Sequence, residues 1–370
     1  MSDPSTARLR RLSALRGCDR ALAGKRPVTV AEQLAVLRAT AEPDALPDLY
    51  GEGGAVRAVE RRVAELLGAG AVAFFPTGTM AQQVAMRYGA EVTGRDAVGL
   101  HPLSHPLVHE GDAYAVLGGL RAVLTTRAAR NPDAGEVAAL AEPIGTLLLE
   151  LPLRDAGFVL PDWDELVATV AAARERGARV HLDGARLWES TPHLGRSPVE
   201  VAALADSVYV SFYKSLGGIS GAALAGDDEL IRYARVWRHR YGGQLFQQWP
   251  AALAALAGLE HELPRLPGYV RHARTVAAAL AELPGARVFP TPPHTHQFRF
   301  WLPYPAELLD EVNLALAEEE KTWFVGGWRD TEVPGLAMAE VTVAGPALEF
   351  DAGQVVELGE RFLRRVSTTT

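Results

Sequence analysis

From about residue 55 to 230 the chain alternates short β-branched or aliphatic runs with longer helical ones, the pattern of βαβ units wound around a mostly parallel sheet. Such a sheet must be covered on both faces, which takes a long and apolar chain. With 370 residues, 48% of them apolar, this chain has the material. The spacing predicts a helix over residues 55–67, with Val56, Val59, Val63, Leu66 and Leu67 on one face. A strand follows over 71–75, then the Pro76-Thr77-Gly78-Thr79 turn and a helix over 80–88. Residues 146–150 are apolar enough for a strand buried on both faces. Asp162 caps a helix over 163–176 that Gly177 closes, and strands follow over 179–182 and 207–212.

Beyond Pro250 the pattern changes to two helices, 251–263 and 269–283, then strand-like pieces at 297–302, 322–325 and 338–343, with helices near 306–319 and 353–365. This predicts a smaller C-terminal α+β domain over residues 249–370, after an N-terminal arm and large domain over 1–248. Lys plus Arg is 37 and Asp plus Glu 45, a net charge of −8, which argues against nucleic acid or anionic lipid as partner. No apolar run approaches the roughly 18 residues of a spanning helix, and the first residues lack a secretory apolar segment, so a cytoplasmic protein is expected. Cys18 is the sole cysteine, which rules out an internal disulfide and a thiolate zinc site.

Two strings mislead. Gly68-Ala69-Gly70-Ala71-Val72-Ala73 matches a dinucleotide fingerprint, but that motif needs a strand before and a helix after, the reverse of the order here. A helix end and a turn is the better reading. His101, His105 and His109 recur every four residues, as metal ligands on one helix face would. Pro102 and Pro106 are expected to break that helix, so no metal site is predicted.

Three strand ends carry unusual polar chemistry. At Phe75-Pro76-Thr77-Gly78-Thr79, free backbone N–H groups, hydroxyls and a helix dipole offer a phosphate seat, or simply a helix cap. At His181-Leu182-Asp183-Gly184-Ala185-Arg186 an aspartate ends a strand expected to be central, where it should meet a cation, a protonated ring nitrogen or Arg186 itself. The third strand runs from Ser207 to Lys214 and the Gly217-Gly218 turn. The only other lysines, Lys25 and Lys321, have charged neighbours, whereas Lys214 stands among aromatic and glycine residues. It is either a snorkelling surface lysine or a desolvated, nucleophilic amine able to form a Schiff base. Together, a phosphate seat, an acid for a pyridine nitrogen and an amine for an aldehyde are the attachments that pyridoxal 5'-phosphate requires.

These residues, with Tyr50-Gly51-Glu52, Ser104-His105 and the His181–Leu187 string, resemble the low-specificity threonine aldolases, within the β-eliminating lyase group of fold-type I pyridoxal phosphate enzymes. The resemblance covers residues 48–230 well and the rest in outline. It implies that Lys214 carries the cofactor, that Asp183 holds its pyridine nitrogen protonated, and that Gly78 and Thr79 hold its phosphate. His105 would stack on the ring and act near the substrate's β-oxygen, and Arg186 would bind the α-carboxylate of a small amino-acid substrate. Ser211 is a further phosphate candidate or a plain strand hydroxyl. A homodimer or homotetramer is implied as well.

Several departures stand out. The family's second histidine has no counterpart between Pro132 and Glu150, and the Ser-Asp pair near the start is matched only by Cys18-Asp19. Phe212-Tyr213 replace the family's Leu-Ser before the lysine. The segment Gly242–Phe246 lacks the expected arginine, and the C-terminal carboxylate-binding arginine is missing near Ala339–Val343, where Arg329 is the candidate replacement. The expected activity is cleavage of a β-hydroxy-α-amino acid to glycine and an aldehyde. The alternatives are β-elimination or another reaction through a Cα carbanion, and a catalytically idle relative that binds the cofactor.

Overall fold

The computed structural model describes residues 4–369, and they form two compact units. One comprises Gln33–Arg265; the other joins the residues up to Glu32 with those from Leu266 onward. The division thus falls at 32/33 and 265/266, not at 248/249. Two packing facts account for this. The helix Trp249–His261 buries Leu253 and Ala254 with Leu37, against Ala41 and Ala55. The N-terminal helix Pro4–Arg16 places Leu15 with Cys18, Leu314, Ala317 and Trp323.

The unit Gln33–Arg265 is built on a seven-stranded sheet. In chain order its strands are β1 (Ala71–Phe75), β2 (Ala97–Leu100), β3 (Arg121–Leu124), β4 (Thr146–Glu150), β5 (Arg179–Gly184), β6 (Ser207–Ser211) and β7 (Ala222–Gly226). Their order across the sheet is β1-β7-β6-β5-β4-β2-β3. Only β7 runs antiparallel, to both of its neighbours, so β1 points the same way as the remaining strands. The C-terminal ends of β1, β2, β4, β5 and β6 therefore share one edge, where α/β sheets bind ligands. Strands β2, β4 and β6 are buried at every position, as the unbroken apolar runs demand.

Sequence pattern missed β2, β3 and β7. Ala222-Ala223-Leu224-Ala225-Gly226 has little β propensity by itself and is held as a strand by β6 and β1 on either side. No helix runs through His101, His105 and His109, as expected from Pro102 and Pro106, although Pro106 itself is accommodated in a short turn. His105–Val108 is one helical turn with the proline in its first positions, where the missing N–H has no helical acceptor to lose. Gly68 does end the helix Gly54–Leu67 in the left-handed conformation, φ 62°, as the helix-end reading required.

The other unit carries an antiparallel sheet of Arg329–Asp330, Ala337–Thr342, Gln297–Leu302 and Arg287–Phe289, in that order. Its two long strands bury alternate residues, placing Phe298, Phe300, Leu302, Ala337, Ala339 and Val341 in a core completed by Phe324, Trp328 and Phe362. No helix among the described residues is long and apolar enough to cross a membrane.

Candidate active site

The phosphate seat begins where β1 ends. Thr77 caps the helix Gly78–Thr93, its hydroxyl accepting from the Met80 N–H, and the amides of Gly78 and Thr79 belong to the first turn, which has no helical acceptors. This helix lies flat on the sheet because two glycines let it. A Cβ on Gly78 would stand 2.1 Å from the Tyr209 hydroxyl, and one on Gly89 would stand 2.0 Å from the Thr146 hydroxyl. Ser211, at the end of β6, is buried, and its hydroxyl has no hydrogen-bond partner. A buried orphan hydroxyl costs free energy unless something satisfies it, and a phosphate oxygen is a suitable partner.

Register places the acid. Asp183 on β5 lies opposite Glu150 on β4 and Tyr209 on β6, so these three residues form one row across the sheet. Asp183 is 1% exposed. Its Oδ2 accepts from Gln82 Nε2 at 2.9 Å and its Oδ1 from the Ala185 N–H at 3.1 Å. The expected alternative, an internal pair with Arg186, does not form. Arg186 instead lies over the Phe158 ring at 5.5 Å, has no carboxylate partner among the described residues, and leaves its buried Nε unbonded. Two carboxylates side by side do not ionise freely. Burial, then the charge of Asp183, pushes Glu150 up to about 7. Burial and the Asp183 charge likewise raise the Tyr209 phenol well above its usual range.

Lys214 follows β6 in the loop to β7, partly buried. Burial and then the neighbouring Arg186 charge lower its pKa, against the opposing pull of Asp183 and Glu150. A larger share of free amine near neutral pH is what a nucleophilic lysine needs.

His105 opens the single turn after β2. Its backbone N–H donates to Glu150 Oε2 at 2.8 Å, and its Nδ1 lies 3.0 Å from Glu110 Oε1. The Glu110 side chain is fully buried and also accepts from Gln83 and Gln82, at 2.8 and 3.3 Å. Burial disfavours a charge on His105, but the Glu110 hydrogen bond and the Asp183 charge outweigh it, and the pKa is raised.

Gly78, Thr79, His105, Asp183, Arg186, Ser211 and Lys214 thus gather on the C-terminal edge of one sheet. The donor set fits a phosphorylated pyridine aldehyde: an anion seat with an unsatisfied hydroxyl, a buried carboxylate for a ring nitrogen and an activated amine. Arg329 belongs to the other unit, where it pairs with Glu340 at 3.3 Å. The segment Gly242–Phe246 has no arginine, yet Arg238 just before it is buried and donates to the Phe74 carbonyl at 2.6 Å. Sequence reasoning passed over Gln82, Glu110, Glu150 and Tyr209. Glu150 had a visible signal, a carboxylate ending an otherwise apolar strand; Glu110 reads as an ordinary loop acid until the fold brings it under His105.

The sheet and its flanking helices have the architecture of fold-type I pyridoxal phosphate enzymes, a fold shared with solved structures as distant as a Sphingomonas wittichii serine palmitoyltransferase (TM-score 0.64, 18% identity, covering 91% of this chain and 84% of that one). A family model of β-eliminating lyases matches residues 33–300. The chain belongs to the β-eliminating lyase family and is a lyase. It is similar to the low specificity L-threonine aldolase of Escherichia coli K12, with 31% identity over 241 residues, 64% of this chain and 72% of that protein. Two solved structures resemble it over nearly its whole length. One, from Exiguobacterium sp. 255-15, is assigned provisionally as an aromatic amino acid β-eliminating lyase/threonine aldolase; it is 34% identical, has a TM-score of 0.88, and the match covers 96% of this chain and 99% of that one. The other, from Listeria monocytogenes EGD-E, is assigned provisionally as an L-allo-threonine aldolase, with 32% identity, a TM-score of 0.89, and 97% and 99% covered.

Proposed function

We propose that this protein is a pyridoxal phosphate-dependent aldolase that cleaves a threonine-like β-hydroxy-α-amino acid to glycine and an aldehyde. The observation that carries the reading is Arg186, a cation without a carboxylate partner among the described residues, on the same sheet edge as the buried Asp183 and the activated Lys214. The names of the related proteins from Escherichia coli and Listeria monocytogenes support it. Lys214 would hold the cofactor through its aldehyde, Asp183 through the ring nitrogen, and Gly78, Thr79 and Ser211 through the phosphate. When bound, the cofactor supplies a sink for the electron pair left on Cα.

The protein's residues do the rest. Arg186 receives the α-carboxylate in its planar fork and fixes the substrate's orientation. His105, braced by Glu110, covers the ring. The β-hydroxyl loses its proton, the Cα–Cβ bond breaks with its electron pair left on Cα, and protonation of Cα yields glycine beside the new aldehyde. Lys214, freed when substrate enters, is an amine able to move a proton at Cα. A homodimer or homotetramer accompanies this reading.

A second reading, β-elimination, is favoured by the absence of a histidine between Pro132 and Glu150. Purified protein with pyridoxal phosphate, screened against β-hydroxy amino acids, separates the two. Glycine with aldehyde supports the aldolase, and ammonia with a keto acid supports the eliminating enzyme. Cofactor uptake without turnover of any amino acid overturns both. Lys214→Ala should abolish turnover, and full activity in that variant refutes the mechanism.

A further inference from the structure

His101, His105 and His109 have three different fates. His101 is buried, with Nε2 bonded to the Ala128 carbonyl at 2.7 Å and Nδ1 accepting from the Leu103 N–H at 2.9 Å, so both of its nitrogens are used within the loop. His105 is tied to Glu110. His109 follows one helical turn later, and its ring lies 5.2 Å from that of His105, tilted by 47°. Its Nε2 is 2.5 Å from Asp155 Oδ2, while its Nδ1 has no hydrogen-bond partner among the described residues. The side chain is 36% exposed.

Resting on the aldolase reading, we propose that His109, oriented by Asp155, is the acid–base group that takes the proton from the substrate's β-hydroxyl. A carboxylate on one imidazole nitrogen fixes the tautomer and leaves the other nitrogen able to act as a base. The groups around this imidazole are His105 on its own turn, with Glu110 buried behind it, and Asp155 with Arg154 on the loop after β4. Arg154 Nη1 is 3.5 Å from His109 Nε2 and 3.7 Å from Asp155 Oδ1. The charge of Arg154 acts on the Lys214 amine, and that of Lys214 acts on His105, so both neighbours of His109 stand within electrostatic reach of the proposed cofactor lysine. The dyad occupies the role for which the 132–150 segment offers no histidine. In the step, the O–H bond breaks toward His109, its electrons form the aldehyde C=O, and the Cα–Cβ pair remains on Cα. The proton on His109 passes to solvent.

The test uses the holoenzyme and two reactions. Glycine release from β-hydroxy amino acids needs a base at the β-oxygen, whereas exchange of the glycine α-proton in D₂O, followed by NMR, does not. In H109N, glycine release should fall about 100-fold while α-proton exchange and the substrate KM stay within about threefold, since an acid–base group contributes roughly 10²–10⁴. H109F should behave alike, which guards against a fold defect peculiar to one variant. Asp155 acts as a positioning residue. In D155N the kcat for glycine release should fall at least about 10-fold while KM and α-proton exchange hold, and D155E, which keeps the carboxylate, should restore part of that loss.

Unchanged glycine release in H109N and H109F overturns the proposal, as does an equal loss of release and exchange. A wild-type protein that exchanges the glycine proton but releases glycine from no β-hydroxy amino acid overturns the aldolase reading itself.

Discussion

Glu150 offers a test that separates electrostatics from packing. Its carboxylate ends β4 opposite Asp183 and is 6% exposed. Burial and that neighbour raise its pKa from the ordinary 4.5 to about 7. A group whose folded pKa lies above its unfolded value favours the fold most below the unfolded pKa, and this contribution is lost as pH rises through the folded pKa. Between about pH 5 and pH 8 the loss from this one carboxyl is of the order of 2–3 kcal/mol, at about 1.4 kcal/mol for each tenfold change in proton affinity.

Glu150→Gln removes the titration. It also disturbs the hydrogen bonds that the carboxylate accepts from the His105 and Arg154 amides, at a cost that does not vary with pH. The informative quantity is therefore the stability difference between variant and wild type, measured by urea denaturation of cofactor-free protein across that pH range. The difference should shift toward the variant by about 2–3 kcal/mol as pH rises. A difference flat with pH refutes the claim that Glu150 and Asp183 share one desolvated row. On the proposed reading a bound cofactor would set its protonated ring nitrogen against Asp183, and its addition should then shrink the shift.

Gly78→Ala forces a methyl onto the buried Tyr209 hydroxyl, and should cost about 1–3 kcal/mol by overpacking and weaken cofactor retention, read by thermal denaturation and visible absorbance. Retention and stability equal to wild type would contradict the close seat of that helix. Arg186→Lys keeps the charge but loses the fork, and should raise the KM for amino acids at least about tenfold with a smaller change in kcat, measured by steady-state kinetics. Glu110→Gln sets an amide donor against His105, Gln82 or Gln83, and should cost about 1–3 kcal/mol in urea denaturation. Because the Glu110 hydrogen bond is what raises His105, its NMR titration should move to lower pH in that variant.

The strands at 71–75, 146–150 and 297–302 and the helix starting at Trp163 are legible because local chemistry and the tertiary environment agree. Each strand is apolar or alternating over its length, and Asp162 with Glu165 caps the helix in both directions. Where the two sources differ, the environment prevails. The alanine-rich β7 is a strand because β1 and β6 supply its hydrogen bonds, and Pro106 allows the turn that carries His105 because it falls at the turn's beginning.

For the site, the chain order alone held the chemical parts: a hydroxyl-rich turn, a lone strand-end aspartate, an arginine three residues on and an isolated lysine. These follow from residue identity, which dictates what charge or hydrogen bond a side chain can offer. Their partners were decided by the fold, because they depend on which strand lies beside which. Glu150 faces Asp183 through strand register, Gln82 reaches the same acid from the helix across the sheet, and Asp155 meets His109 from a loop 46 residues away. Charges separated along the chain become one electrostatic unit only when backbone hydrogen bonding brings them within a few ångströms and burial removes the water that would screen them.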